Sequence, residues 1–258
     1  MSADRLAELA WEVVMPVPLR VHPQLALEEV LLDRLVTGVR GPTLRFWEWG
    51  ERALVLGSHQ ALANEVDVEA ARKLRFTVGR RMSGGGTMLL EPGRSITYSL
   101  YAPESVVAGQ SFVQSFAALD GWVVDCLRGL GVPAEHRPIN DIVSPEGKIG
   151  GAAQARRRGF LVHHTAMAYE IDPDLVPRLI RIGRERLSPR GVRSAEKAVS
   201  PLARWLPSGQ QRLLETLAAC FLARYPARFG TLDGEELATA HRLALDKYRK
   251  REWIDRIS

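Results

Sequence analysis

The sequence predicts an α+β fold in which helices flank a mostly antiparallel sheet. Strand-like segments follow one another through short turns, and the helical patterns stand before and after them instead of alternating with them. The chain has 258 residues, 46% of them hydrophobic and 25% charged, as in an ordinary globular domain. It holds neither an internal repeat nor the strand–turn–helix pattern of a dinucleotide-binding unit.

The first part of the chain begins with a helix and continues with strands. From Pro23, leucines at four-residue spacing predict an amphipathic helix that ends near Gly38. The runs TLRFWEW and ALVLG are separated by a glycine and a charged pair, and this spacing predicts a hairpin. A short helix is then expected around residues 67–74.

Three more strand-like runs surround a stretch rich in glycine. RFTVGRR precedes the glycines, and TMLLE and SITYSLYAP follow them. The last run places an apolar side chain at every second position, which is typical of a strand.

The clearest helical pattern begins at Ser111. Ser111 and Gln114 form a capping-box pattern, apolar residues follow at spacings of three and four, and Gly131 closes the pattern. Three strand-like runs come next, joined by turns tight enough to predict a meander: NDIVS, KIGGAAQAR and FLVHHTAMAYEID.

The end of the chain is helical. Helical patterns begin near Pro173, Gln210 and Gly234, and a stretch with proline, serine and glycine separates the last two from the first. We expect residues 1–206 to form the main domain and residues 207–258 to form a helical appendage of that same domain.

The charge of the chain is modest. The net charge is +5 and the pI about 9.5, with basic residues scattered among acidic ones. This pattern permits an anionic substrate and argues against a nucleic-acid partner. Charged residues interrupt the N-terminal segment, and no apolar run approaches membrane-spanning length, so we expect a cytoplasmic protein with no membrane partner.

Two cysteines, Cys126 and Cys220, lie far apart in the sequence. Neither has the spacing of a metal ligand, and each falls on the apolar face of a predicted helix. We therefore expect two core residues, with no disulfide framework and no zinc site, as fits a reducing compartment.

The stretch RRMSGGGTMLLEPG contains the first candidate site. A run of glycines lets successive backbone N–H groups converge on an anion such as phosphate, and Arg80 and Arg81 would add charged hydrogen bonds. The stretch lacks the ending of a Walker A loop and is not followed by a helix. A purely structural bulge or hairpin is the alternative.

Lys148 is the second candidate. It follows a predicted turn and precedes Gly150 and Gly151, small residues that would let a substrate lie against the strand beside the ammonium. A lysine in this position would hold a carboxylate and a phosphate together. The alternative is a solvated lysine at the turn.

His163 and His164 are neighbours on a predicted strand, so their side chains point to opposite faces of the sheet. At most one of them faces a given site, and with no third ligand we propose no metal site. A packed, hydrogen-bonded histidine is the alternative. The arginines at 156–158 fall in a tight turn without interleaved aromatic residues, which favours a solvated hairpin tip over a nucleic-acid site.

The glycine stretch and the segment NDIVSPEGKIGGAAQARRRGFLVHHT, about sixty residues apart, resemble the two hallmark segments of the lipoate–protein ligase A family. This family lies within the biotin/lipoate ligase superfamily. VLGSHQALANEVD and LSPRGVRSAEKAVSPL are similar to further stretches of it. The resemblance covers residues 25–202 and implies the α+β catalytic-domain fold of that superfamily.

The resemblance implies a reaction in two steps. Lipoate or octanoate would react with ATP and Mg²⁺ to give acyl-AMP and pyrophosphate. The acyl group would then pass to a lysine on a lipoyl domain of a 2-oxoacid dehydrogenase or glycine-cleavage protein. The chain is short for members with a full accessory domain, which leaves open a requirement for a separate accessory subunit.

The resemblance also implies the site residues. Lys148 matches the catalytic lysine, which touches the acyl carboxylate and the α-phosphate. Asn140 and Asp141 match the Asn-Asp pair of the family, which leaves open a role for Asp141 in orienting Lys148 or a magnesium-bound phosphate, and no metal ligand is assigned. The residues implied for substrate and ATP binding are Arg81, Ser83, Gly84, Gly85, Gly86, Thr87, Met88, Leu89, Asn140, Asp141, Gly150, His164 and Thr165.

Two other functions are weighed against this one. An octanoyl transferase of the same superfamily moves an acyl group between carrier proteins through a cysteine thioester, and no cysteine lies near the glycine stretch or Lys148 in the sequence. A paralogue that binds a lipoyl or nucleotide ligand without turning it over is opposed by the intact lysine and glycine stretch.

Overall fold

A computed structural model of the chain describes residues 4–182 and 197–257. The strands in these residues are β1 (Trp11–Val14), β2 (Pro18–Leu19), β3 (Thr43–Trp49), β4 (Ala53–Leu56), β5 (Thr77–Arg80), β6 (Met88–Leu90), β7 (Ser95–Pro103), β8 (Glu135–Arg137), β9 (Asp141–Ser144), β10 (Gly147–Arg157), β11 (Phe160–Ala168) and β12 (Ala227–Gly230). The α-helices are α1 (Val21–Val36), α2 (Leu62–Glu65), α3 (Val68–Lys73), α4 (Phe112–Gly129), α5 (Leu175–Leu179), α6 (Gln210–Arg224), α7 (Gly234–Leu243) and α8 (Arg251–Ile254).

Nine strands form one large sheet. Its order is β12-β1-β3-β7-β11-β10-β9-β8, with β2 paired to β3. From β3 to β8 every pairing along this path is antiparallel, and the predicted meander is present as β9, β10 and β11. The pairings of β1 with β12 and β3 are parallel. The prediction of a mostly antiparallel sheet is confirmed.

The predicted hairpin between β3 and β4 is wrong. β4 belongs to a separate three-stranded sheet, where it pairs with β5 in parallel and with β6 in antiparallel fashion. The N–H of Gly50 donates to the carbonyl oxygen of Leu19 at 2.9 Å, and Glu51 accepts a hydrogen bond from the N–H of Val21 at 3.0 Å. The chain therefore passes around the start of α1 after β3 instead of folding back.

Different helices cover the two faces of the large sheet. One buried cluster joins α4 and α6 to the sheet through Trp122, Leu217 and Leu100. The other joins α1 and α7 through residues that include Leu27 and Tyr101. We call these two sides the α4 face and the α1 face; adjacent residues on a strand point to opposite faces.

The C-terminal residues pack on both sides of the large sheet. β12 extends the large sheet beyond β1, and α6 packs against α4. On the other side, the indole N–H of Trp253 donates to the carbonyl oxygen of Arg80 at 2.9 Å. The division of the domain at residue 206 stays a prediction.

Cys126 of α4 and Cys220 of α6 are joined by a disulfide. Both residues belong to or pack against the core on the α4 face, as expected, but the expectation of no disulfide is wrong. The two cysteines are 94 residues apart, and only the packing of α6 on α4 brings them together. The cysteines therefore give no support to a reducing compartment.

Among residues 4–182 and 197–257, no helix combines the length and the apolar character that a membrane crossing requires.

Candidate active site

The glycine stretch and strands β10 and β11 meet on the α1 face of the large sheet. We call residues 83–87 the glycine loop. Ser83 lies in this loop, and its Oγ is 3.1 Å from Nε2 of His164 on β11. A Cβ atom added to Gly85 would lie 3.9 Å from Cβ of Ala153 on β10. The loop is thus packed directly over β10, the strand that contains Lys148, and over β11.

The glycine loop is wrapped around the guanidinium of Arg81. This group donates hydrogen bonds to the carbonyl oxygens of Val55 at 3.0 Å, Gly84 at 3.1 Å and Gly86 at 2.9 Å. Burial lowers the pKa of Arg81 to about 10, so the group remains charged at neutral pH. Arg81 therefore organises the loop with the donors that we expected to bind an anion.

Arg80 has a similar structural role. Its guanidinium donates to the carbonyl oxygens of Gly57 at 2.8 Å and of Ile254 at 2.6 Å. Burial lowers its pKa to about 10, and the nearby charge of Arg256 adds to this effect. The direct contact with phosphate expected for Arg80 is therefore not what the geometry indicates.

The turn at residues 57–60 supports the glycine loop from behind. A Cβ atom on Gly57 would lie only 2.0 Å from the carbonyl oxygen of Gly85. The hydroxyl of Thr87 donates to the side-chain oxygen of Gln60 at 3.0 Å, and the N–H of Ser58 donates to the carbonyl oxygen of Ser83 at 2.8 Å. Only a glycine at position 57 allows this approach of two backbones.

Lys148 lies on the same face and is held by Asp141. Its Nζ is 2.8 Å from Oδ1 of Asp141, whose side chain is 9% exposed, whereas the lysine side chain is 30% exposed. Burial lowers the pKa of Lys148, and the charge of Asp141 opposes this effect. The alternative of a freely solvated turn lysine is therefore wrong.

The two glycines after Lys148 have different neighbours. A Cβ atom on Gly151 would lie 2.7 Å from Nζ of Lys148, so this glycine makes room for the ammonium. A Cβ atom on Gly150 would instead lie 2.6 Å from the carbonyl oxygen of Ala166 and from Cγ of Met167. Gly150 is required for packing against β11, and the expected space for a substrate beside it is absent.

Asp141 has a second cationic partner that the sequence did not predict. Nζ of Lys197 pairs with Oδ2 of Asp141, while Lys148 pairs with Oδ1. Burial opposes ionisation of Asp141, but the two ammonium groups outweigh it and the pKa of this carboxyl is lowered. Lys197 lies in the stretch LSPRGVRSAEKAVSPL, of which residues 187–196 fall outside the described residues.

Glu28, His164 and Ser83 form a buried chain of hydrogen bonds. Oε1 of Glu28 is 2.7 Å from Nδ1 of His164, and it also accepts from the hydroxyl of Ser99 at 3.1 Å. Although burial opposes it, the contact with His164 lowers the pKa of Glu28. A carboxylate at Nδ1 favours the tautomer in which Nε2 accepts from Ser83. The sequence did not identify Glu28 as a site residue, because a glutamate within an amphipathic helix such as α1 is expected on its solvent-exposed face.

Two other predicted residues point away from this site. Thr165 donates from Oγ1 to Asp120 on α4 at 2.7 Å, so its side chain lies on the α4 face with that of His163. Leu89 packs against the separate core behind the small sheet, while its neighbour Met88 faces the α1 side. Both departures follow from the alternation of side chains along a strand.

Asn140 connects the meander near Lys148. Its amide Nδ2 donates to the carbonyl oxygen of Ala152 at 2.5 Å, and the N–H of Ala152 donates back to the carbonyl of Asn140 at 2.9 Å. This pair holds the start of β9 against β10, so the position of Asp141 relative to Lys148 is set by the backbone.

A small, mostly apolar pocket opens beside these groups on the α1 face. It is lined by Leu25, Trp47, Trp49, Arg81, Met88, Thr97 and His164. The lining is mostly apolar, and its polar members are Arg81, Thr97 and His164.

The described residues contain no group of three or more acidic, histidine or cysteine side chains able to hold a metal ion. Asp141 is the carboxylate nearest to Lys148, and both of its oxygens pair with lysines. Mg²⁺ bound through nucleotide phosphates needs only one or two protein carboxylates. Because both oxygens of Asp141 pair with ammonium groups, the described residues around Lys148 do not form a resident metal site.

The chain is similar to a family of known proteins. A family model described as the lipoyl protein ligase A/B catalytic domain matches residues 20–222. Octanoyltransferase LipM of Geobacillus kaustophilus (strain HTA426) is 27% identical over 262 residues, which cover 89% of this chain and 92% of that protein.

Two solved structures have the same fold. A bi-partite lipoate protein ligase from Thermoplasma acidophilum matches with a TM-score of 0.79 and 23% identity, over 95% of this chain and 96% of that one. A crystal structure of lipoate-protein ligase A bound with ATP matches with a TM-score of 0.78 and 24% identity, over 95% of this chain and 98% of that one. The prediction of the fold class is confirmed.

Proposed function

The chain belongs to the lipoyl protein ligase A/B catalytic-domain family, and we propose that it is an ATP-dependent member, a lipoate–protein ligase. In this proposal the enzyme joins lipoate or octanoate to AMP and then transfers the acyl group to a lysine of a lipoyl domain. The reaction takes place on the α1 face, between the glycine loop and Lys148.

In the first step, a carboxylate oxygen of the acid attacks the α-phosphorus of ATP. An O–P bond forms, and the bond to pyrophosphate breaks. The ammonium of Lys148, held by Asp141 at 2.8 Å, offsets the negative charge on the phosphate oxygens. An added Cβ at Gly84 or Gly86 would meet open space, so a phosphate has room to approach the backbone there.

In the second step, the amine of the lipoyl-domain lysine attacks the acyl carbonyl carbon. A C–N bond forms, the C–O bond to AMP breaks, and the amine loses a proton to solvent. Lys148 stabilises the carbonyl oxygen and the departing phosphate together. The apolar side chains of Leu25, Trp47 and Met88 would contact the acyl chain once the pocket, which has room for about one water molecule, has opened.

The observation that carries this proposal is the position of the two cysteines, the only ones in the sequence. Cys126 and Cys220 are bonded to each other and pack with the core on the α4 face. Ser83, Lys148 and His164 lie on the α1 face. A thioester mechanism needs a thiol within reach of the substrate, and this arrangement favours adenylation instead.

The second candidate is an octanoyl transferase. It is favoured by the 27% identity to Octanoyltransferase LipM of Geobacillus kaustophilus. For this chain, that reaction would require reduction of the disulfide and access to a cysteine through the α4 layer. The catalytically inactive paralogue remains a third reading.

The co-substrate is ATP in this proposal, as the fold shared with an ATP-bound lipoate-protein ligase A supports. Mg²⁺ would arrive with the nucleotide and reduce the charge of its phosphates. We further propose that the acceptors are lipoyl domains of 2-oxoacid dehydrogenase or glycine-cleavage proteins in the cytoplasm. The bi-partite ligase of Thermoplasma acidophilum supports a requirement for a separate accessory subunit.

Exchange of labelled pyrophosphate into ATP tests the proposal. We expect exchange that depends on lipoate or octanoate and is absent with biotin or without an acid. The reaction should be measured with the chain alone and with an accessory subunit of the bi-partite type.

The cysteines provide the matched test for the transferase. A Cys126→Ala, Cys220→Ala double variant that stays folded should keep its exchange activity. Loss of all acyl transfer in this variant, together with an acyl-cysteine trapped in the wild type, would establish the transferase instead.

A further inference from the structure

Lys197 belongs to a short segment that runs beside the beginning of β10. The N–H of Lys148 donates to the carbonyl oxygen of Ala198 at 2.8 Å, and the N–H of Ser200 donates to the carbonyl oxygen of Lys148 at 2.8 Å. A Cβ atom on Gly147 would lie 2.5 Å from the carbonyl oxygen of Ala198. The segment is therefore fixed to the backbone of Lys148 on both sides.

A side-chain contact also fixes this segment from the β9 side. Oγ of Ser144 and Oγ of Ser200 are 2.9 Å apart, and both serines are buried. The backbone that follows Lys197 is thus fixed beside the beginning of β10 as far as Ser200.

The carboxylate of Asp141 is shared by two ammonium groups. Lys148 binds Oδ1 and Lys197 binds Oδ2, so two positive charges face one negative charge. The carboxylate is 9% exposed, whereas the side chains of Lys148 and Lys197 are 30% and 45% exposed. Two ammonium groups therefore share one buried carboxylate, which leaves one unit of positive charge beside Lys148.

This excess charge suits an anionic group that arrives with the substrate. Lys148 already pairs with Asp141, so the ammonium of Lys197 adds a positive charge that this one carboxylate does not neutralise. A second cation next to the first strengthens binding of a phosphate whose charge changes during the reaction. The other charged group that acts on Lys148 is Arg81, whose donors are used by the glycine loop.

Resting on the proposed function, we propose that Lys197 is a second catalytic residue, whose ammonium contacts the phosphate of the acyl-adenylate beside Lys148. When the nucleotide binds, Lys197 turns from Oδ2 of Asp141 to a non-bridging oxygen of the α-phosphate. The same phosphate is the electrophile in the first step and part of the leaving group in the second. Lys197 therefore acts in both steps.

The test compares Lys197→Met with Lys197→Arg. The first variant keeps the length of the side chain and removes its charge, and the second restores the charge. Pyrophosphate exchange measures the first step, and transfer of the acyl group from synthetic lipoyl-AMP to a lipoyl domain measures the second. We expect Lys197→Met to slow both steps roughly 10- to 100-fold in kcat, with partial recovery in Lys197→Arg.

Lys73→Met is the matched control, since Lys73 also forms an ion pair, with Glu69 on the surface of α3 at 2.7 Å. It should leave both rates unchanged, and all three variants should melt within a few degrees of the wild type. Normal rates in Lys197→Met, a loss confined to one step, or no recovery with arginine would each overturn the assignment.

The outcome is separable from that of the proposed function. If the wild type shows no pyrophosphate exchange under any condition, the ligase proposal fails. If the wild type exchanges normally and Lys197→Met does too, the ligase proposal stands and only the role of Lys197 is lost.

Discussion

Lys148 combines a partly buried ammonium with a carboxylate partner and a glycine that makes room for it. Burial lowers the pKa of Lys148, and the charge of Asp141 opposes this lowering. Any residue larger than glycine at position 151 would collide with the ammonium of Lys148, since an added Cβ already lies 2.7 Å from its Nζ. These contacts position the charge and contribute little to the hydrophobic core.

We therefore expect Lys148→Ala to separate activity from stability. Acid-dependent pyrophosphate exchange should fall roughly 100- to 1,000-fold, the scale for loss of one preorganised electrostatic donor. The free energy of unfolding in urea should change by about 1 kcal/mol or less, because the side chain is 30% exposed. Retention of near-normal exchange would remove Lys148 from the mechanism.

Substitution of Glu28 should instead lower the stability of the protein. It is fully buried and binds His164 and Ser99, so Glu28→Gln replaces charged hydrogen bonds by neutral ones and adds an amide donor. We expect the free energy of unfolding to fall by about 1.5–3 kcal/mol. Urea denaturation of this variant beside Lys148→Ala is the measurement, and unchanged stability would contradict the role assigned to the buried chain.

At the scale of elements, the glycine loop depends on the turn at residues 57–60 more than on its own sequence. Arg81 donates hydrogen bonds to carbonyl oxygens of β4 and of the loop. Gly57 has no side chain and therefore lets the turn lie against the backbone of Gly85. Arg80 connects the same turn to the C-terminal residues through Gly57 and Ile254. The loop is a junction of three segments that are distant in the sequence.

Gly57→Ala tests this junction. The added Cβ would lie 2.0 Å from a backbone oxygen, so either the turn or the loop must move. We expect a loss of about 1–3 kcal/mol in stability and a loss of at least roughly 10-fold in pyrophosphate exchange. Gly41→Ala is the control, since an added Cβ at Gly41 meets open space and its φ is not in the left-handed region. Equal behaviour of the two variants would show that the close approach is unimportant.

At the scale of the whole molecule, each face of the large sheet has its own buried carboxylate–histidine pair. Glu28 binds His164 on the α1 face, and Asp120 binds His163 at 2.7 Å on the α4 face. Burial opposes ionisation of both carboxyl groups, but their partners outweigh it and lower both pKa values below the ordinary 4.5 and 3.8. These two carboxylate–histidine contacts link α1 and α4 to the same strand, β11.

This arrangement predicts loss of stability in acid. Because the folded pKa of each carboxyl is lower than the unfolded one, the unfolded chain binds more protons as the pH falls. The contribution is complete above the unfolded values of 4.5 and 3.8 and is lost as the pH falls through them towards the folded values. Urea midpoints measured from pH 6 to pH 3 should fall, and Asp120→Asn should flatten this fall. An equal slope in the variant would exclude Asp120 as a source.

Local patterns were enough for most elements. The capping box of Ser111 and Gln114 is present at the start of α4, and the meander from β9 to β11 has the predicted order. The capping bonds involve residues three apart and the turns join adjacent strands, so each can be recognised within a short window. The hairpin after β3 failed because the partner of Gly50 is Leu19, far outside that window.

The sequence by itself determined the fold class, the family resemblance and the presence of Lys148 and the glycine loop. Only the tertiary structure decided that Thr165 and Gly150 face away from the site, that Lys197 shares Asp141, and that the cysteines are bonded on the opposite face. The physical reason is that motifs are local, whereas the face of a sheet and the partner of a charge depend on contacts between distant segments.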